Sequence, residues 1–223
     1  MSAGRTHFDI AIPIYPKVDL LDVAAPHEMF KWINSYSASL AVEVALVAAH
    51  GGVVETQDGL KLTPDTTFAE CRAKGRQFDL LWVPGGDPET LKATMGDPDY
   101  LGFLREQSAA ARWVTSVCEG ALLLASAGLL DGYAATTHWA FIPCLQAFPE
   151  IQVAEGNPRF VVDRNRITGG GISSGLDEAL ELVGRIAGYE VAEQVQIVTQ
   201  YLPDPPIHAT LPKAEGCPLW TVS

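Results

Sequence analysis

Short apolar runs alternate along this chain with stretches whose apolar residues recur at helical spacing, which predicts parallel βα units covered on both faces. Residues 7–14 predict a first strand, about 22–33 a first helix and 42–48 a second strand. Residues 53–54 and 60–62 flank Gln57-Asp58-Gly59, turn chemistry that predicts a hairpin. A short apolar central strand over 79–83 ends in Pro84-Gly85-Gly86, followed by a helix over 98–111 and a strand over 113–117. That strand runs straight into Cys118-Glu119-Gly120 and then into a helical stretch, 121–127, that stops at Gly128, a natural C-cap residue. Beyond it the pattern predicts a short strand near 134–136, a helix opening at Thr137 or His138, and a hairpin over 159–168 leading to Gly169-Gly170-Gly171. Ser173 or Ser174 is expected to cap a helix reaching about Gly188, and another helix follows over 191–201. From Leu202 onward five prolines predict an extended arm on the surface or on a neighbour. No internal repeat interrupts this order. One doubly wound α/β domain with a mostly parallel sheet and helices on both faces accounts for residues 1–223.

Composition supports a chain that folds alone: 48% of residues are apolar and 19% charged. The net charge of −12 excludes one class of partner. The close basic pair, Arg164 and Arg166, is flanked by Asp163, so there is no electrostatic footprint for a phosphate backbone and no nucleic acid is expected. The first apolar run is broken by Pro13 and Pro16, unlike a signal peptide, and no run reaches membrane-spanning length. The cysteines (Cys71, Cys118, Cys144, Cys217) lack CxxC or Cys/His ligand spacing, which predicts neither a zinc site nor a disulfide framework. A reducing cytoplasm, with no membrane association, is the expected setting.

Candidate chemistry concentrates at Cys118. A cysteine between a β-branched strand and a helix start sits where sheet topology exposes side chains, at the carboxyl ends of strands. A helix N-terminus there favours thiolate over thiol, and Gly120 permits close backbone approach. Position alone leaves a buried, inert cysteine as an equal alternative. Gly85-Gly86 and Gly169-Gly171 match no phosphate-loop spacing and read as turn and packing glycines.

The segment VTSVCEGALLLASAGLLDGYAATTHWAF resembles the nucleophile elbow of the DJ-1/PfpI superfamily, especially its isonitrile hydratase-like subgroup. PIYPKVDLLDVAAPHEMF is similar to that subgroup's first-strand loop, LLWVPGG to its central strand and oxyanion loop, ITGGGISSGLDEALELV to its late helix, and YLPDPPIHA to its Pro-rich exit. The resemblance implies a flavodoxin-like fold related to class I glutamine amidotransferases. It implies Cys118 as nucleophile, Asp22 as a carboxyl group bonded to its sulfur, and backbone N–H groups near Gly86 and Glu119 as anion donors. Desolvation and a neighbouring thiolate would keep Asp22 protonated and able to act as a general acid, although a first-turn acid stabilising a helix is the plainer reading of that residue. His138 enters as a pocket residue, with a histidine bonded to backbone at a helix start as the alternative. The activity implied is hydration of small isonitriles to N-substituted formamides, with no metal or organic cofactor, by a homodimer. Amidase or glyoxalase-like chemistry and a non-catalytic cysteine redox sensor are the competing readings. Related domains occur fused to helix-turn-helix modules, but no basic helical extension follows here, so direct DNA binding is not expected. One departure stands out: Glu119 occupies a position where isonitrile hydratases usually carry threonine, and its carboxylate would oppose thiolate formation if it turned inward.

Overall fold

A computed structural model describes residues 5–220. The chain runs through β1 (Thr6–Pro13), α1 (Leu20–Tyr36), β2 (Leu40–Ala48), β3 (Val54–Glu55), β4 (Lys61–Leu62), β5 (Thr66–Thr67), α2 (Phe68–Lys74) and β6 (Leu80–Val83). It continues with α3 (Pro88–Thr94), α4 (Pro98–Ser108), β7 (Trp113–Ser116), α5 (Gly120–Ser126) and β8 (Ala134–Ala135). A 3-10 turn (Trp139–Phe141) leads into α6 (Ile142–Leu145), β9 (Gln152–Val153), β10 (Phe160–Asp163), β11 (Arg166–Gly169), α7 (Ser174–Ala187), α8 (Tyr189–Thr199) and a last 3-10 turn, Pro218–Trp220.

Seven strands form the main sheet in the order β10-β11-β7-β6-β1-β2-β5. All neighbours are parallel except β10 and β11, an antiparallel hairpin at one edge. The fold is flavodoxin-like, as expected. The central strands explain why their sequences are continuously apolar: all four residues of β6 are buried, as are Ile10, Ala11 and Ile12 in succession in β1, because both faces are covered. From β1 the chain steps to β2 in one direction, whereas β6, β7 and β11 step in the other. Right-handed crossovers therefore put α1 and α4 on opposite faces. Helices α1, α7 and α8 pack together, and α4 packs on α5 and, through a Phe68–Phe103 ring stack at 4.2 Å, on α2. The reversal of strand order falls between β1 and β6, and ligands of doubly wound sheets bind in the crevice at that point.

Helices α2 and α3 have no counterpart in the apolar pattern. Each has seven residues, too few to show a period, but α2 carries a complete capping box between Thr67 and Glu70 and a left-handed Gly75 at its end. Ser173 stands at the start of α7 without capping it; its hydroxyl oxygen accepts from Arg159 Nη1 at 3.3 Å instead. The helix expected after Thr137 begins as a 3-10 turn. The Pro-rich arm is largely exposed until Leu219, which is buried and whose carbonyl accepts from Lys92 Nζ at 3.0 Å. The expectation of no disulfide framework is corrected by one link: Cys144 and Cys217 form a disulfide across 73 residues of sequence, leaving Cys71 and Cys118 free. Spacing could not disclose it, because only the folded-back arm brings Cys217 to α6. No described helix is long and apolar enough to cross a membrane.

Candidate active site

Cys118 is positioned by backbone geometry on three sides. At the end of β7, Val117 N–H donates to Val83 O at 3.1 Å and Cys118 N–H donates to Gly170 O at 2.9 Å. The chain then turns sharply, with Cys118 in the left-handed region at φ 56°. Such a conformation is uncommon for a non-glycine residue and marks a turn that the surroundings impose. Gly120 closes it: its N–H donates to Val117 O at 3.0 Å, and a Cβ there would lie 2.0 Å from Val83 O. Thr137 Oγ1 donates to the Cys118 carbonyl at 2.8 Å, so the elbow's own oxygen is satisfied.

Asp22 reaches the sulfur from α1. The cap of that helix is Asp19, which accepts from the N–H groups of Leu21 and Asp22 and, at its other oxygen, from Gln57 of the β3–β4 hairpin. Pro26, four residues after Asp22, has no N–H to give the Asp22 carbonyl, and the Trp82 indole takes that place at 2.8 Å. The missing helix hydrogen bond thus pins Asp22 to the central strand β6. Its carboxyl is fully buried, accepts from Gly85 N–H at 2.9 Å and contacts the Cys118 sulfur, while Oδ1 finds no well-aligned protein partner. Burial pushes the Asp22 pKa well above the ordinary carboxylate range, and the charges of Asp19 and Glu119 push it further. The direction of the shift is toward the protonated, proton-donating form of Asp22.

Glu119 turns inward. It is 7% exposed, and its carboxyl contacts the Cys118 sulfur, its own backbone N–H and the N–H of Gly86. The two N–H groups expected to bind an anion therefore hold this carboxyl. Gly85 makes the room: a Cβ on it would stand 2.3 Å from Glu119 Oε2. Burial, with a smaller push from Asp19, raises the Glu119 pKa to about 7 against those hydrogen bonds. His138 lies at the mouth, with Nδ1 3.8 Å from Glu119 Oε1. Nδ1 also accepts from Ala140 N–H at 3.3 Å, so it carries no proton, and burial lowers the His138 pKa. The pair is a neutral imidazole beside a carboxyl group and not an ion pair.

The thiol departs from expectation. Burial first, and then the neighbouring acidic side chains Asp22 and Glu119, push the Cys118 pKa well above its usual value, outweighing the hydrogen bond from Ile172 N–H. A helix of seven residues supplies too little field to reverse this. Cys118 rests as a neutral thiol, 2% exposed. The structure thus gathers Asp22, Cys118, Gly86, Glu119 and His138, and adds Asp19, Gln57, Gly85 and the Ile172 N–H, which the sequence alone did not single out. Only Asp19 carried a readable signal, as an acid just before a helical run.

The raised pKa of Glu119 has a consequence for stability. The carboxyl titrates near 4.5 in the unfolded chain and about 7 in the folded one, so the folded state holds the extra proton in between. This contribution is intact below the lower value and is lost as pH rises through the upper one. Between pH 5 and pH 8 the wild type should lose about 2 to 3 kcal/mol more than Glu119→Gln, measured by urea unfolding of both proteins.

A cysteine on a strained strand-to-helix turn, beside buried acids at the carboxyl edge of a doubly wound sheet, defines a flavodoxin-like α/β domain of the elbow-cysteine class. The chain belongs to the DJ-1/PfpI family, whose model matches residues 9–185. It is 40% identical over 204 residues to an isonitrile hydratase from Pseudomonas putida, covering 91% of this chain and 82% of that protein. It is 32% identical to the HTH-type transcriptional regulator GbdR from Pseudomonas aeruginosa, of which it spans 50%. Among solved structures, a ThiJ/PfpI family protein from Pseudomonas syringae superposes with a TM-score of 0.82 at 35% identity, covering 92% of this chain and 79% of that one. Drosophila melanogaster DJ-1beta superposes with a TM-score of 0.74 at 19% identity, covering 87% and 98%, a likeness of fold.

Proposed function

We propose that this protein is an enzyme that hydrates small isonitriles to N-substituted formamides, with Cys118 as nucleophile and Asp22 as general acid. The carrying observation is a fully buried Asp22 carboxyl in contact with the Cys118 sulfur, its pKa pushed up by that burial. An isonitrile carbon is both basic and electrophilic, so it needs an acid and a nucleophile converging on one atom. Asp22 delivers its proton to that carbon as the sulfur bonds to it, and the thiol proton passes to the vacated carboxylate. The product is a thioformimidate, S–CH=N–R, with Asp22 neutral again. Water then adds to the carbon, and the tetrahedral species expels the thiol and leaves the formamide. A buried site suits an uncharged substrate and keeps the acid protonated.

The redox-sensor reading loses support from the same geometry, since sensor cysteines are exposed thiolates and this one is a buried thiol. The exposed apolar side chains of Leu21 on α1 and of Ile197 and Val198 on α8 favour a homodimer as the working form. Incubating the protein with cyclohexyl isocyanide and following N-cyclohexylformamide tests the activity. Methylglyoxal consumption with no formamide would replace this reading by a glyoxalase-like one. Asp22→Asn, which keeps the shape and removes the acid, should lower kcat for the isonitrile by about 100-fold.

A further inference from the structure

We propose that Glu119 is a second acid–base of this reaction, protonating the thioformimidate nitrogen and taking a proton from the attacking water. The inference rests on the isonitrile hydratase reading and assigns its second half. Two hydrogens of water end on different atoms of the formamide, one on carbon and one on nitrogen. Addition of the thiol uses Asp22 once in each direction and leaves it as it began, with the nitrogen still bare. Water is a poor nucleophile toward a neutral C=N bond, so hydrolysis needs an acid at nitrogen and a base at water.

The geometry supplies one group for both. Glu119 touches the same sulfur as Asp22, but its carboxyl lies on the Gly86 N–H, in the slot that the absent Gly85 side chain leaves open. Asp22 is sealed at 0% exposure, whereas Glu119 stands 3.8 Å from His138, whose side chain is 21% exposed and leads toward solvent. The acid in line with the water supply is Glu119. The groups around it are Cys118, Asp19 and Asp22 of the α1 end, Tyr15 beyond β1 and the neutral His138, with no cation among them to hold the carboxyl ionised. With a pKa of about 7 both of its forms are accessible at neutral pH.

The protons balance. Glu119 gives its proton to nitrogen; water bonds to carbon and returns a proton to Glu119, giving S–CH(OH)–NH–R. Collapse breaks the C–S bond and forms C=O, and the hydroxyl proton passes through the carboxyl pair to sulfur. Both acids and the thiol end as they began.

Glu119→Gln keeps the shape and one accepting oxygen for the backbone N–H groups but cannot take up or release a proton. Formamide release by this variant should fall by about 100-fold. Whole-protein mass spectrometry during turnover should show it heavier by one isonitrile, an adduct that wild type does not accumulate. The decline of wild-type kcat above about pH 7, from loss of the Glu119 proton, should be absent from the residual activity. Turnover near the wild-type rate without adduct, or a change confined to KM, overturns the inference alone. Loss of both turnover and adduct also overturns it, by placing Glu119 at or before the addition step, provided the urea midpoint shows a folded protein; an unfolded variant is replaced by Glu119→Met, which fills the same space without a titratable group and to which the same outcomes apply. A wild type without isonitrile turnover overturns the underlying reading instead.

Discussion

Cys118→Ala is expected to lower kcat/KM for isonitrile hydration by on the order of 10⁴-fold while leaving the fold in place. Without sulfur, Asp22 still protonates the isonitrile carbon, but water must attack in one unaided step. The acid survives and the covalent stage does not. The elbow itself should persist, because its turn is held by the Val117, Cys118 and Gly120 N–H bonds and by Thr137, none of which uses the sulfur. Removing a desolvated thiol from between two carboxyls should change stability by less than about 1 kcal/mol. Formamide production and urea unfolding, measured on the same preparation, separate the two effects. Residual activity within tenfold of wild type would mean that the nucleophile lies elsewhere.

Gly120→Ala should cost about 4 kcal/mol of stability or more, the largest loss expected from a single methyl group in this chain. The added Cβ would meet Val83 O at 2.0 Å, Val83 C at 2.8 Å and Pro84 C at 3.1 Å. These are backbone atoms of a buried central strand and its exit, so no side-chain rotation relieves the clash. Moving them would also shift Gly85 and Gly86, whose N–H groups hold Asp22 and Glu119. Any folded remainder should therefore be catalytically impaired. Gly51→Ala is the matched control: its Cβ meets nothing within 4 Å, and stability should change by less than about 0.5 kcal/mol. A urea midpoint for Gly120→Ala equal to that control would refute the close approach.

The contrast between these two glycines shows what the sequence discloses. Strand β6 and the Ile10–Ile12 run of β1 are legible because burial on both faces makes them continuously apolar, β2 and β7 because they are rich in apolar and β-branched residues, and the turn after β7 because a cysteine and a glycine interrupt strand and helix together. Helix α3 is not legible: its seven residues bury only Leu91 and Thr94, too few to show a period. Cys118 and Asp22 emerge as candidates from motif resemblance and strand-end position. The direction of Glu119 does not, because it depends on Gly85, a residue of another strand's exit that leaves the space into which the carboxyl turns. The state of the thiol is hidden for a related reason. Local order suggests a helix field at sulfur, but the number of buried acids around it is a property of the assembled crevice.

The link between Cys144 and Cys217 turns what looks like a loose tail into part of a covalent ring. Residues 202–216 then form the slack span of a closed circuit, held at one end by α8 and at the other by the disulfide to α6, with the buried Leu219 just outside the ring. Such a span cannot fray from its end, and cutting it once leaves the severed piece attached. Where thiols are kept reduced the circuit opens, and only packing and hydrogen bonding hold the last residues against the body of the domain.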